Sequence, residues 1–315
     1  MNSRRSFIVG IKSTKLSSKE KNFLKKYKPW GVILFTRNIK NIKQTSKLTS
    51  SIRKVFSDKK YPILIDQEGG RVNRLKNIIS FDNLTSEFFG NKYIKNNNEF
   101  KFFYKLFIDK TSYLLKLIGV NINTSPVLDL RIKGSSNIIG DRSFSNNPKI
   151  VSKIGDYCIK HFHKNGIGTV IKHIPGHGLA KKDSHNFTPI INKKENFLLK
   201  NDFFAFKNKK AFFAMTAHVI FNKIDKINTV THSKLLVKMI RNKIRFKNIL
   251  ISDDLSMKSL KGTVEENTIK TFKAGCDIAL HCNGNLKEME IVGKNSPTIN
   301  KFIYKKTSQF YKILS

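Results

Sequence analysis

The sequence predicts a single (β/α)8 TIM barrel, and two observations carry that prediction. Short, β-branched-rich apolar runs recur along the 315 residues, as expected of buried parallel strands. Amphipathic stretches of helical length separate these runs, so strand and helix alternate as barrels require. An open, doubly wound sheet is the alternative that this alternation also allows. Because no linker or break in composition divides the chain, we expect one domain over residues 1–315, without a second α/β domain.

The predicted elements follow one another in order. The apolar runs are at residues 6–12, 31–35, 61–66, 119–129, 168–173, 211–219, 248–254 and 277–283. Helices are predicted over residues 17–27, 43–56, 99–117, 148–164, 194–208, 233–244, 264–273 and 296–314. The fourth helix has the clearest ends, since Asn147 suits the N-cap, Pro148 the first helical position and Gly166 the position beyond the end. The Lys/Asn-rich segment 91–98 predicts a loop.

The charge of the chain is extreme but dispersed. Lys and Arg number 60 against 22 Asp and Glu, which gives a net charge of +38. Such a charge suggests nucleic acid or an anionic membrane as partner. The basic residues are scattered, however, and no aromatic-interleaved cluster or nucleic-acid motif is present. We therefore expect no specific nucleic-acid binding, only salt-sensitive attraction to polyanions.

Other bulk features indicate the compartment. The three cysteines form no CxxC pair, which argues against a disulfide framework and favours a reducing compartment. The apolar run at residues 7–11 is too short for a signal peptide, and no run approaches the 18 or more residues of a membrane span. We expect a cytoplasmic monomer without membrane insertion.

Polar side chains stand where the barrel strands are predicted to end. Asp66 ends the third run, His173 the fifth and His218 the sixth strand, while Asp253 and Asp254 end the seventh run and Arg142 lies in the loop after the fourth. In a barrel, the loops at the carboxyl ends of the strands carry the catalytic groups. One such residue could be a solvated strand end, but their coincidence predicts a common site.

The segment HIPGHGLAKKDSH at residues 173–185 allows two chemical interpretations. His173 and His177 are four residues apart, but the intervening Pro and Gly prevent the helix of a zinc motif, so we expect no metal. Asp183 and His185 suit proton transfer, because a carboxylate can fix the tautomer of an imidazole that titrates near neutrality. An ordinary polar loop is the alternative.

Several motifs together resemble glycoside hydrolase family 3, in its bacterial β-N-acetylhexosaminidase branch. The motifs are IDQEGGRVNR, IGDRSF, KHIPGHGLAKKDSHNFTP and SDDLSM, with SPVLDL, MTAHVIF and AGCDIALHCN in support. They occur in the family's order, and with GVILFTRN at residues 31–38 the resemblance extends from residue 31 to residue 283. The resemblance implies a TIM barrel and a retaining glycosidase that needs no cofactor.

The resemblance also implies roles for individual residues. Asp253 would be the nucleophile and His185 the acid/base, with Asp183 as its partner. This pair replaces the second carboxylate that retaining glycosidases usually carry. The sugar would be bound by Asp66, Arg74, Arg142, Lys172 and His173, while His177 and His218 shape the site. Asp254 is expected to make hydrogen bonds at the strand end.

The implied activity is that of an exo-β-N-acetylglucosaminidase that removes terminal GlcNAc from muropeptides in peptidoglycan recycling. Phosphorolysis at the same site is an alternative, because a neutral histidine repels phosphate less than a glutamate would. Nucleic-acid binding driven by the net charge of +38 is a remote alternative from another class.

Overall fold

A computed structural model of the chain, which describes residues 3–181, 184 and 187–314, contains a closed parallel barrel. Its strands pair in chain order, and the last strand pairs with the first. They are β1 Arg5–Gly10, β2 Pro29–Leu34, β3 Ile63–Ile65, β4 Ile122–Asn123, β5 Gly168–Ile174, β6 Phe213–Thr216, β7 Ile249–Asp254 and β8 Ile278–His281. The barrel is confirmed, and the open sheet is excluded because β1 and β8 pair in register.

Helices surround this barrel within the described ranges. They are α1 Ser18–Tyr27, α2 Ile42–Phe56, α3 Ser86–Lys95, α4 Asn97–Leu117, α5 Pro148–Lys164, α6 Glu195–Lys200, α7 Lys234–Asn242, α8 Val264–Ala274, α9 Leu286–Asn295 and α10 Lys301–Tyr311. Short two-strand ladders join Gln67–Gly69 to Val72–Asn73 and Ile190–Ile191 to Ile220–Phe221. The ends of α5 are as predicted, since the Asn147 side chain accepts from the Lys149 N–H.

Three predicted elements need correction. The segment 91–98 is not a loop, because α3 begins at its N-cap Thr85 and packs the buried Phe89 inward. Helix α9 lies in a stretch for which no helix was predicted, and the predicted helix 296–314 begins at Lys301. Within the predicted helix 194–208, only α6 and a short 3₁₀ turn are helical. Tertiary packing decides these short or lysine-rich segments more than their composition does.

The interior of the barrel is apolar and is closed at its amino-terminal end by α10. Trp30 packs edge-on against Phe213, and Phe213 packs in the same way against Phe310 of α10. The indole N–H of Trp30 donates to the Thr307 hydroxyl at 2.9 Å. Gly168 leaves room for this plug, because a Cβ there would lie 2.7 Å from the Phe310 ring. The opposite end of the barrel stays open for a site.

No helix in the described part of the chain is long and apolar enough to cross a membrane. The three cysteines are free thiols; Cys158 and Cys276 are buried and Cys282 is half-buried.

Replacement of the plug residue should destabilise the whole barrel. The Phe310 ring is fully buried, so we expect Phe310→Ala to lower the free energy of unfolding by about 3–5 kcal/mol. The matched control is Phe302→Ala on the same helix, where the ring is 37% exposed and the loss should stay below about 1 kcal/mol. Denaturant unfolding measures both, and equal losses would show that α10 does not close the core.

Candidate active site

The open end of the barrel contains a cavity of about 670 Å³, counting its mouth. Most of the residues proposed from the sequence line it. These are Asp66, Arg74, Arg142, Lys172, His173, His177 and Asp253. Apolar side chains complete the lining, namely Ile33, Val72, Ile138, Ile139, Met215, Met257 and Leu280. The cavity therefore has a charged side and an apolar side, a combination that suits small polar ligands with a nonpolar face.

A buried ion cluster forms the charged side. Arg142 donates two hydrogen bonds to Glu68, from Nε at 2.8 Å and from Nη2 at 2.9 Å. The ammonium of Lys172 lies 2.6 Å from Oε1 of the same carboxylate, the oxygen that also accepts from Arg142 Nη2. The side chains of Glu68 and Lys172 are each only 3% exposed. Glu68 thus fixes two cations at defined positions, one from strand β5 and one from the segment after β4.

Asp66 extends this cluster toward the mouth. Its Oδ1 accepts from Lys172 Nζ at 2.8 Å and from the Thr124 hydroxyl, and its Oδ2 faces Arg74 Nη2 at 3.5 Å. The weaker contact leaves Oδ2 with capacity to accept from a ligand hydroxyl. Asp66 directly follows β3 and Lys172 lies within β5, so the barrel itself sets their separation.

The cations keep both carboxylates ionised. Burial alone would raise the pKa of Asp66, but Lys172 and Arg74 outweigh it and hold that pKa well below its usual value. For Glu68, burial is likewise outweighed by Arg142 and Lys172, which lower its pKa to about 2. Around neutral pH the cluster therefore presents two carboxylates and their cationic partners in fixed charge states.

Asp129 organises the PGHG turn. Its carboxylate accepts from the backbone N–H of His173 at 3.2 Å and of His177 at 2.7 Å, and from the imidazole Nδ1 of His173 at 2.7 Å. Burial would raise the pKa of Asp129, but these histidines hold it below its ordinary value. Since Nδ1 of His173 donates to the carboxylate, its Nε2 is the ring nitrogen left for the cavity.

Asp253 stands at the end of β7, half-buried in the cavity wall. Its Oδ1 accepts from the Asp254 backbone N–H at 2.8 Å. Burial would raise its pKa, but His218 and His173 outweigh that and lower it. An ionised carboxylate with a remaining free lone pair toward a cavity is the form that a carboxylate nucleophile needs.

His218 lies behind Asp253 and does not line the cavity. Its Nε2 is 3.0 Å from the Asp254 carbonyl oxygen, which can only accept, so Nε2 carries the proton. Its Nδ1 then accepts from the Thr231 hydroxyl at 2.8 Å. Burial lowers the pKa of His218, although Asp253 and Asp254 oppose this shift. The two hydrogen bonds of His218 support the end of β7.

Asp254 has the hydrogen-bonding position expected from the sequence. Its Oδ1 accepts from the backbone N–H groups of Ser256 at 3.1 Å and Cys282 at 3.0 Å, and its Oδ2 accepts from the Ser256 hydroxyl at 2.7 Å. These bonds tie the loop after β7 to the end of β8.

Asp183 and His185, the expected proton-transfer pair, lie outside the described residues. Ser184, between them in the sequence, is buried and lines the cavity. Its hydroxyl is 3.1 Å from His177 Nε2. Ser184 and the PGHG turn therefore meet at the cavity through this contact.

Sequence reasoning missed three polar residues that hold the site together. Glu68, Thr124 and Asp129 were assigned no role. Glu68 belongs to the IDQEGGRVNR motif two residues after Asp66, and Asp129 closes the apolar run at residues 119–129. For Asp129 the available signal was its position, since it is an acidic residue at the end of a predicted strand. No sequence signal links Glu68 to Arg142, because the two are 74 residues apart.

Asp202 is a buried carboxyl beneath the PGHG turn. Its Cβ would be 2.6 Å from a Cβ placed on Gly176, so only glycine fits above it. Neither carboxyl oxygen has a hydrogen-bond partner among the described residues. Burial and the charge of Asp129 raise its pKa to about 7, despite nearby backbone N–H groups. Asp202 is thus a titratable group directly under the loop that carries the site.

Comparisons with known proteins agree on one family. The profile of the glycosyl hydrolase family 3 N-terminal domain matches residues 6–301. A beta-hexosaminidase of Thioalkalivibrio sulfidiphilus is 30% identical over 282 residues, which cover 88% of this chain and 80% of that protein. A beta-hexosaminidase of Actinobacillus pleuropneumoniae serotype 3 is 33% identical over 288 residues, with the same shares covered.

Solved structures give the same result. NagZ from Neisseria gonorrhoeae, crystallised with N-trifluoroacetyl-D-glucosamine, superposes with a TM-score of 0.87 at 27% sequence identity. The match covers 98% of this chain and 90% of that one. A family 3 β-N-acetylglucosaminidase from a Paenibacillus strain, at 22% identity and a TM-score of 0.86, shares the fold.

Neutralising the shared anion of the ion cluster should cost stability. In Glu68→Gln, two buried cations lose their common carboxylate, and we expect the free energy of unfolding to fall by about 3 kcal/mol or more. The exposed Glu265→Gln on α8 is the control and should change it by less than about 0.5 kcal/mol. Urea unfolding at pH 7 compares them, and an unaffected Glu68→Gln would mean that the cluster does not hold the site.

Asp202 predicts a specific pH dependence of stability. Its pKa is raised in the folded state, so ionisation favours the unfolded chain as pH rises from about 4 to about 7. Relative to wild type, Asp202→Asn should therefore gain about 1–3 kcal/mol of unfolding free energy between pH 5 and pH 8.

The control for Asp202 is Asp225→Asn. Burial would raise the pKa of Asp225, but hydrogen bonds from Ser233 and the backbone of Asn228 lower it, so its titration ends below pH 5. Its stability difference from wild type should stay constant between pH 5 and pH 8. A constant difference for Asp202→Asn as well would contradict the raised pKa.

Proposed function

The chain belongs to glycosyl hydrolase family 3 and is a glycoside hydrolase of the β-N-acetylhexosaminidase class; from this premise we propose that it is a retaining exo-β-N-acetylglucosaminidase. In this proposal it acts in the cytoplasm and releases terminal GlcNAc from muropeptides during peptidoglycan recycling. The name of its relatives and the glucosamine derivative bound to the Neisseria gonorrhoeae protein support this substrate class.

One observation carries the mechanism. Asp253, with a lowered pKa, stands in the wall of a cavity whose opposite side holds the cluster of Asp66, Glu68 and Lys172. A sugar bound by hydroxyl contacts to that cluster would place its anomeric carbon toward the Asp253 carboxylate. A small enclosed cavity with one nucleophile suits removal of a single terminal residue, which is exo action.

The first step forms a covalent glycosyl–enzyme. A carboxylate oxygen of Asp253 bonds to the anomeric carbon while the bond from that carbon to the glycosidic oxygen breaks. His185, protonated at the start and supported by Asp183, gives its proton to the leaving oxygen. The contact between Ser184 and His177 in the cavity wall supports this assignment, because Ser184 lies directly between Asp183 and His185 in the sequence.

The second step returns the enzyme to its starting state. A water molecule bonds to the anomeric carbon, His185 takes the proton of that water, and the bond to Asp253 breaks. Two inversions at one carbon give overall retention. A histidine can serve both steps because its pKa lies near neutrality, so it exists in both protonation states at working pH.

We assign recognition of the sugar to hydrogen-bond donors and acceptors that other contacts hold in place. Asp66 keeps acceptor capacity at Oδ2 for a hydroxyl, while Arg74, Lys172 and Arg142 are donors, and His173 adds its Nε2. Because the ion cluster holds these groups before a ligand arrives, little further ordering is needed on binding.

Substrate choice tests the class of sugar. We expect nitrophenol release from aryl β-GlcNAc at a kcat/KM well above that for aryl β-glucoside, with the β-anomer of GlcNAc as first product by NMR. Phosphate should change neither the rate nor the product. Preference for the glucoside, or release of GlcNAc 1-phosphate, would contradict the proposal.

Removal of the nucleophile tests the mechanism. Asp253→Ala should lower turnover by at least about 10³-fold while the melting temperature stays near that of wild type. Azide can occupy the space of the lost carboxylate, and one inversion by azide should give the α-glycosyl azide. A variant that stays active, or that yields only β-products with azide, would remove Asp253 from the mechanism.

A further inference from the structure

Helix α4 carries two apolar faces, although a helix on the outside of a barrel needs only one. Its inner face buries eight residues against the body of the protein: Phe100, Tyr104, Phe107, Ile108, Thr111, Ser112, Leu114 and Leu115. Its outer face exposes Phe102, Phe103, Leu106, Tyr113 and Leu117. Single exposed apolar residues are common, but a contiguous set is typical of an interaction surface.

Four of the five outer residues form one stripe, in two pairs with Asp109 and Lys110 between them. Phe102, Leu106, Tyr113 and Leu117 follow the spacing i, i+4, i+11 and i+15, which places them within about 60° of one another around the helix axis. The stripe runs for about 22 Å along α4. Phe102 is 65% exposed and Leu106 is 57% exposed, so these side chains project from the surface.

A groove beside the stripe widens this apolar surface. It lies between α3 and α4, exposes no polar lining, and is bordered by Phe81, Leu84, Phe88 and Phe103. Two lysines stand at its rim, Lys92 and Lys110. The Lys92 ammonium is 4.7 Å from the centre of the Phe103 ring.

Basic residues flank the whole apolar surface. Helices α3 and α4 carry six lysines, namely Lys92, Lys95, Lys101, Lys105, Lys110 and Lys116, against the acids Glu87, Glu99 and Asp109. Two of the lysines are paired, Lys92 with Glu99 and Lys105 with Asp109. The surface therefore combines projecting aromatic and aliphatic side chains with a surplus of positive charge.

We propose that the stripe on α4 and the groove beside it dock on an anionic lipid bilayer, with α4 parallel to the membrane plane. The projecting apolar side chains enter the headgroup region, and the flanking lysines extend to lipid phosphates, as in interfacial amphipathic helices. The charge decides against a second copy of this chain, which would bring another net charge of +38 to the contact. This inference is independent of the proposed enzymatic function.

The docking surface adjoins the loop after β3, which carries Glu68 of the ion cluster. Phe81 and Leu84, which border the groove, adjoin the loop of the ion cluster: the Gly70 N–H donates to the Phe81 carbonyl oxygen at 2.9 Å. The carbonyl oxygen of Leu84 would be 2.3 Å from a Cβ on Gly69. The docking surface and the loop after β3 are thus in direct contact.

Vesicle co-sedimentation tests the proposal with the full chain. Vesicles of phosphatidylcholine with about one third phosphatidylglycerol should bind the protein, and pure phosphatidylcholine vesicles should bind it at least about 10-fold more weakly. The double variant Phe102→Ser/Leu106→Ser, which keeps the net charge, should weaken binding to the anionic vesicles at least about 10-fold.

The matched control separates this surface from the general charge. Ile227→Ser/Leu235→Ser removes two apolar side chains elsewhere that are at least as exposed as those on α4, and it should bind within about 2-fold of wild type. Activity of all variants on the aryl substrate should be unchanged. Equal binding by both double variants, or equal binding to neutral vesicles, would overturn the proposal. Light scattering that showed a dimer lost in Phe102→Ser/Leu106→Ser would assign the surface to a second copy instead.

Discussion

The ion cluster centred on Glu68 is the interaction on which the rest of the site depends. Burying two carboxylates and two cations is costly, and the cost is offset only where each charge has a partner at hydrogen-bond distance. Here Glu68 pairs with both Arg142 and Lys172, and Lys172 also pairs with Asp66. Removing Glu68 would leave the buried Arg142 without a carboxylate partner among the described residues and Lys172 with Asp66 alone. The charged groups of the cavity wall are therefore positioned by contacts that also stabilise the fold.

A second carboxylate performs a similar role on the other side of the cavity. Asp129 binds two backbone N–H groups and one imidazole of the segment that begins at His173, so the turn cannot shift without breaking several bonds at once. Beside Asp253, the hydrogen-bonded His218 and Asp254 fix the end of β7. The barrel supplies the strand ends, and this outer layer of polar contacts sets the direction of each side chain.

The sequence was sufficient for the barrel because the signal is local. Each buried strand is a short β-branched run, and the residues that follow the strands are polar, so both the fold and the common location of Asp66, His173 and Asp253 could be predicted. The same reasoning failed for α3, where lysine and asparagine hide a helix that is stabilised by the buried Phe89. It also failed for Glu68, whose two partners, Arg142 and Lys172, are far from it along the chain. Contacts between residues far apart in the sequence depend on tertiary structure and produce no periodic pattern in the sequence.

The most direct test of the account is covalent trapping of the glycosyl–enzyme. Incubation with a 5-fluoro-N-acetylglucosaminyl fluoride, in which fluorine slows formation and hydrolysis of the intermediate, is followed by peptide digestion and mass spectrometry. The account predicts one added sugar per chain, on the peptide that contains SDDLSM, with fragmentation placing it on Asp253. A sugar on Asp254 or on any other residue, or no covalent adduct while the reagent is turned over, would contradict it.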